Sequence, residues 1–257
     1  MALSEVGSAR VSATGTSVSL TLPAGTTTDD LIVILVGSDQ DISSIGSGYT
    51  DVTGSPADDG YVFIYSRCVW KLAGASEGNP SIGIASSGRI RATCYVLRGQ
   101  STTSPLQASA SVVDTSFAAT TTPSSLGAGG NTVWSLILQA DEGSRGSISW
   151  PTGWALVIDQ ADTADYTTAI ARNTSPGTGT VSPGVTTTDQ GKDNVTYHVL
   201  VKEGGGASGQ PATKRAGGIP WMGAHGAGFS SAARRWIVRT PPAFATNLLR
   251  RATDGQY

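Results

Sequence analysis

The chain reads as an all-β protein: a jelly-roll-like antiparallel β-sandwich built from two similar halves, followed by a mostly irregular C-terminal arm. Three observations predict this. Apolar residues are gathered into short β-branched runs separated by turn clusters, with 33 glycines and 12 prolines supplying the punctuation. No window of the first 203 residues carries the 3.6-residue periodicity of an amphipathic helix. Only 14% of residues are charged, which argues for a folded core between many turns and against disorder.

The expected strands follow in order: Val18–Leu22, Leu31–Val36, Tyr61–Lys71, Ile90–Leu97, Ser109–Val113, Thr132–Leu138, Ala155–Gln160, Tyr166–Arg172 and Val195–Lys202. Leu31–Val36 reads Leu-Ile-Val-Ile-Leu-Val without alternation, so both of its faces should be buried and the strand central. Tyr61–Lys71 alternates, with Val62, Ile64, Ser66, Cys68 and Trp70 on one face and Tyr61, Phe63, Tyr65, Arg67 and Lys71 on the other. In the next strand Ile90, Ala92, Cys94 and Val96 share a face. The two cysteines therefore fall on inward faces; whether they meet depends on register. They are expected to be buried hydrophobes of a protein made in a reducing cytosol.

The halves echo each other. Ala92–Leu97 aligns with Val195–Leu200, Asp30–Val33 with Asn131–Trp134, Gly48-Tyr49 with Gly153-Trp154, and Tyr61–Arg67 with Tyr166–Arg172. Each half runs strand, Gly-aromatic turn, strand, then a closing strand. No linker parts them near residues 99–106, so one sandwich over residues 1–203 is expected rather than two domains.

Residues 204–213 are a Gly-rich linker by composition. Beyond it, residues 214–257 form a second electrostatic object. Seven basic residues from Lys214 to Arg251 face the single acid Asp254, a formal +6, which leaves −8 on the preceding body. Arg215, Arg234, Arg235 and Arg239 are interspersed with Trp221, Phe229, Trp236 and Phe244. Apolar anchors with arginines suit docking into grooves with acidic rims on other proteins, more than phosphate neutralisation along a nucleic acid.

Chemistry-bearing constellations are sparse. His198 lies on a strand with no acid or nucleophile at a recognised spacing, and His225 lies in the Gly/Ala stretch 223–227. No nucleophile elbow, zincin or phosphate-loop motif occurs. Asp39 and Asp41 lack the extended spacing of a calcium loop, and Asp58-Asp59-Gly60 reads as a turn. No catalytic residue, metal ligand or cofactor is assigned. Tyr49, Trp150 and Trp154 sit in or beside the Gly-aromatic turns; they could stack on a sugar ring, although a corner that plugs the end of the core is the favoured role. No run of about 20 apolar residues suggests a membrane span, and the N-terminus lacks the charged start and apolar core of a secretory signal.

The order of the short motifs carries a resemblance. Leu22-Pro23-Ala24-Gly25-Thr26-Thr27, followed by Asp30-Leu31-Ile32-Val33, resembles the "LPAGTTAGDLLVA" opening of a β-sandwich family of bacteriophage virion structural proteins. Gly48-Tyr49-Thr50 and Pro151-Thr152-Gly153-Trp154 resemble its "PAGWT" corners. Tyr65-Ser66-Arg67 resembles "YYRVA", Tyr95–Gly99 resembles "AYRGV", and Val199–Val201 stands where the closing strand stands. The likeness spans roughly residues 15–203, with Asp29 standing where the opening motif carries glycine. Lys214–Trp221 resembles the "RAGGVP" segments of small virion proteins. The resemblance implies a non-enzymatic virion accessory protein: a decoration, spike or fibre-like module assembled in the host bacterial cytoplasm. Its partners would be capsid, neck or tail subunits and further copies of itself. The alternative is a tail-fibre module that binds a host glycan.

Overall fold

A computed structural model describes residues 2–58, 60, 64–115, 120–142, 149–161, 166–183, 185–186 and 193–204. All of them belong to the unit Met1–Gln210. Strands of the first half are β1 (Ser4–Ser19), β2 (Leu31–Ser38), β3 (Ser44–Ile45), β4 (Thr50–Asp51), β5 (Ala57–Asp58), β6 (Tyr65–Leu72) and β7 (Ser81–Arg98). Those of the second are β8 (Leu106–Asp114), β9 (Thr120–Thr121), β10 (Leu126–Gly127), β11 (Val133–Glu142), β12 (Ala155–Ala161), β13 (Tyr166–Asn173), β14 (Thr180–Val181), β15 (Val185–Thr186) and β16 (Asn194–Lys202). No helix occurs among the described residues.

All pairings are antiparallel. The first sheet runs β1-β7-β2-β6-β4, with β3 against β7 and β5 against β6; the second runs β8-β16-β11-β13-β12. Each half closes its own sheet, in the same order: first strand, last strand, second strand, then the two middle ones. The internal repeat is therefore a repeat of topology, β1 matching β8, β2 matching β11, β6 matching β13 and β7 matching β16. A jelly roll passes successive strands between its two sheets; here the five principal strands of each half stay in one. The small ladders β10-β14 and β9-β15 complete the second half.

The strand faces explain the core. Leu31, Val33 and Leu35 of β2 turn to the second sheet and pack with Cys68, Tyr95, Leu136, Leu138, Ile170, Tyr197 and Val199. Tyr197 donates its hydroxyl to the Ser66 carbonyl at 3.1 Å, so even this aromatic meets the buried-polar requirement. The opposite face of β2, Ile32, Ile34 and Val36, packs under a second apolar layer containing Leu20, Ile42, Ile45, Ile82, Ile90 and Cys94. Both faces of β2 are fully buried, as its unbroken apolar run predicts.

Register resolves the cysteines. Cys68 pairs with Leu35 and Cys94 with Ile34, so they lie on opposite faces of the first sheet, in different clusters. Both are free and buried. Burial pushes the Cys94 thiol up to about 12 and raises that of Cys68 as well, leaving both unreactive at neutral pH.

One long element differs from expectation. Of β1, only Val18 and Ser19 lie within an anticipated strand, yet β1 pairs with β7 along its length. Its Ser/Thr/Ala/Gly composition has low strand propensity, and the tertiary ladder overrides it. Val6, Ala9, Val11 and Val18 supply a shallow apolar edge to the second core layer.

Candidate functional site

The body carries a cleft of about 730 Å³ lined by Thr27–Asp30, Arg98–Thr103 and Gly204. The first half passes into the second there, and the Gly-rich linker begins there. Its floor is a clamp. Arg98 donates Nε to Asp30 Oδ1 at 2.8 Å, and its terminal nitrogen donates to Asp30 Oδ2 at 2.7 Å, Thr27 Oγ1 at 2.8 Å and the Gly25 carbonyl at 2.9 Å. Asp30 also accepts the Thr27 backbone N–H at 2.7 Å. Burial alone would lift the Asp30 carboxyl, but the hydrogen bonds from Arg98 and Thr27, with the guanidinium charge, outweigh it and hold the carboxyl below its ordinary value. The Leu-Pro-Ala-Gly-Thr-Thr turn is thus pinned to the end of β7.

Asp29 has a backbone φ of 66°, the left-handed region in which glycine has no side-chain penalty. That is the position where the resembling motif carries glycine. Its carbonyl accepts from the buried Gln100 side chain. Gln100 bridges to Glu203, and the Gly204 N–H donates to the Gly99 carbonyl at 2.7 Å. A Cβ on Gly204 would lie 2.6 Å from the Gln100 carbonyl oxygen, so only glycine lets the chain leave at this point. At the mouth, Asp29, Thr102 and Thr103 are exposed. The cleft is lined by Thr, Ser, Asp, Arg, Gln and Gly residues and is braced, and it holds the last strand where the linker departs.

A Ser–His pair is present that sequence spacing did not reveal. Ser135 Oγ lies 2.7 Å from His198 Nε2, and His198 Nδ1 lies 2.9 Å from the Ser124 carbonyl. A carbonyl only accepts, so Nδ1 carries the proton and Ser135 donates to Nε2. Burial lowers the His198 pKa, only partly countered by the Ser124 hydrogen bond. Both side chains are wholly buried, and Nδ1 faces a carbonyl rather than an orienting carboxylate. The pair resembles a nucleophile and base in composition, but lacks the carboxylate that orients the base in a triad.

The pair belongs to a buried polar layer on the outer face of the second sheet, with Gln139, Asp141, Asn194 and Thr196. Gln139 donates to Asp141 at 2.9 Å, and the Thr121 hydroxyl lies within 3.2 Å of both Asp114 and Asn194. The corresponding face of the first sheet is apolar, so the two halves diverge here in chemistry while matching in topology. Among the described residues no group of three His, Cys, Asp or Glu side chains is arranged to hold a metal ion. Asp39 accepts the Arg89 backbone N–H at 2.7 Å, and Asp58 that of Gly60 at 2.8 Å.

The three aromatics do not share a surface. Tyr49 is half-buried against the second core layer of the first sheet, with its hydroxyl enclosed and Lys71 Nζ 5.5 Å from its ring centre. Trp154 is half-buried and meets His198 edge-on, with ring centres 6.5 Å apart, on the outer side of the second sheet. Trp150 is half-buried nearby in sequence. The corners thus occupy equivalent places in the two halves, on opposite layers of the sandwich. The arm residues Arg215, Trp221, Phe229, Arg234, Arg235, Trp236, Arg239 and Phe244, with His225, lie outside the described residues.

No protein-family model, curated protein or solved structure matches the chain.

Proposed function

We propose that this chain is a non-enzymatic bacteriophage virion accessory protein, its sandwich body displayed on the particle and its C-terminal arm anchoring it to capsid or tail subunits. The observation that carries the reading is the division of the chain into an acidic body at −8 and an arginine-and-tryptophan arm at +6, joined by a glycine-rich linker. The mechanism is tethering. The linker begins at the braced cleft, and the arm docks on a partner. Burial of Trp221, Trp236 and Phe244 and pairing of the arginines offset the ordering entropy. Repetition around a symmetric particle adds avidity.

The test is incorporation into particles. A full-length variant with Arg234, Arg235 and Trp236 replaced by Ala should keep the circular dichroism spectrum and melting profile of the wild type. It should be lost from purified particles. Incorporation at wild-type occupancy would overturn the anchoring role.

A further inference from the structure

We infer that β8 is an assembly edge, on which the chain pairs antiparallel with β8 of a second copy. This inference is independent of what the arm binds.

An open sheet edge presents unpaired N–H and C=O groups and recruits further strands unless something prevents it. Natural proteins prevent it with charge, bulges, proline or short edges. The two sheets have four edges. At one edge of the first sheet, β1 carries Glu5 and Arg10, both held in ion pairs to the second sheet, and two register shifts. At its other edge, β4 and β5 are two residues each. At one edge of the second sheet, β12 carries Asp159 and a register shift between Leu156 and Ile158.

The remaining edge is β8. Leu106-Gln107-Ala108-Ser109-Ala110-Ser111-Val112-Val113 has no charge, proline or glycine before Asp114. Its one register shift lies at its first residues, opposite Leu200 and Val201, and the ladder from Ala108 to Asp114 is regular. Among the described residues it is hydrogen-bonded in a ladder only to β16. Val113 on this strand is 37% exposed. Among the described residues, β8 alone of the four edges is both long and free of charge, proline and glycine before its last residue.

The strand also complements itself. With Ala110 on a two-fold axis, Ala108 faces Val112 of the second copy, Ser109 faces Ser111 and Leu106 faces Asp114. No like charges oppose, and the two Asp114 carboxylates fall at opposite ends of the ribbon. The second sheet would then continue across the axis as a single sheet. A loop of the first sheet, Thr53-Gly54, braces β8. It binds through side chains, Ser109 Oγ accepting from Thr53 N at 3.0 Å and Ser111 Oγ donating to the Gly54 carbonyl at 3.1 Å.

The experiment is sedimentation of the full chain and its variants across a concentration series. Wild type should approach twice the 26.2 kDa chain mass. Ala110→Lys and Ala110→Glu, which place like charges on the axis, should each sediment as monomers with unchanged far-ultraviolet circular dichroism. An equimolar mixture of the two should recover the doubled mass, because a Lys then faces a Glu. If Ala110 variants fail to fold, Val113→Lys at the exposed end of the strand should lower the mass in their place. A monomeric wild type would overturn the inference, as would variants that keep the doubled mass or a mixture that stays monomeric.

Discussion

Replacing Ile34 by Ala tests whether the first sheet is buried on both sides. In a two-sheet sandwich with one core, the residue after an inward-facing Val33 points to water, and truncating it changes stability by about 0.5 kcal/mol or less. Here Ile34 is fully buried in a second apolar layer with Ile45, Ile82 and Cys94, while its neighbour Leu35 is fully buried between the sheets. Each truncation removes three carbons. At about 0.8 kcal/mol per buried methylene the transfer part is about 2.4 kcal/mol, and the residual cavity brings the total into the range of about 2–5 kcal/mol. Ile34→Ala and Leu35→Ala should therefore destabilise the body comparably. For a unit of this size each should lower the melting temperature by roughly 4–20 °C, at about 2–4 °C per kcal/mol. The assay is urea unfolding followed by tryptophan fluorescence, with thermal melts alongside. A cost below about 1 kcal/mol for Ile34→Ala, beside a cost above about 2 kcal/mol for Leu35→Ala, would refute the second layer.

Two further outcomes follow from the site geometry. His198 stays neutral in the folded body because burial lowers its pKa, whereas the unfolded chain takes up a proton near pH 6.5. The unfolded state binds more protons below that value. The His198 contribution is thus complete above roughly pH 6.5 and is lost as pH falls towards the folded pKa; His198→Gln should flatten the stability profile in that window, and an unchanged slope would show that His198 is not held neutral. At the cleft, Asp29 adopts a φ of 66°, so Asp29→Gly should raise stability by about 0.5–1 kcal/mol despite its entropic cost, read as a higher urea midpoint at constant slope. A loss of stability would mean that the Asp29 side chain holds the turn.

The strand pattern was legible because it is local. The Leu-Ile-Val-Ile-Leu-Val run of β2, the turn clusters, and the Ala92–Leu97 and Val195–Leu200 echo are properties of neighbouring residues. The structure places β2 and β16 where they predict, while β7 contains Ile90–Leu97 but begins earlier, at Ser81. The departure at Asp29 was visible too, since a motif that carries glycine marks a backbone position needing positive φ. The Ser135–His198 pair was not legible. Its members are 63 residues apart and meet only because β11 and β16 are adjacent in a particular register.

Local sequence was enough to show that this protein is all-β, where β2, β11, β13 and β16 lie, that its halves repeat, and that an acidic body is tied to a basic, aromatic arm. Strand propensity, turn chemistry and charge are written residue by residue, so each survives without knowledge of partners. Long-range strand pairing is what makes each half build its own sheet, turns Cys68 and Cys94 opposite ways, and leaves one outer face apolar while the other is a buried polar layer. That Ser4–Ser17 is strand at all has the same origin. Those outcomes depend on which strands pair and in which register. A shift of one residue exchanges every inward side chain for an outward one, and that choice is made by contacts between residues far apart in the chain.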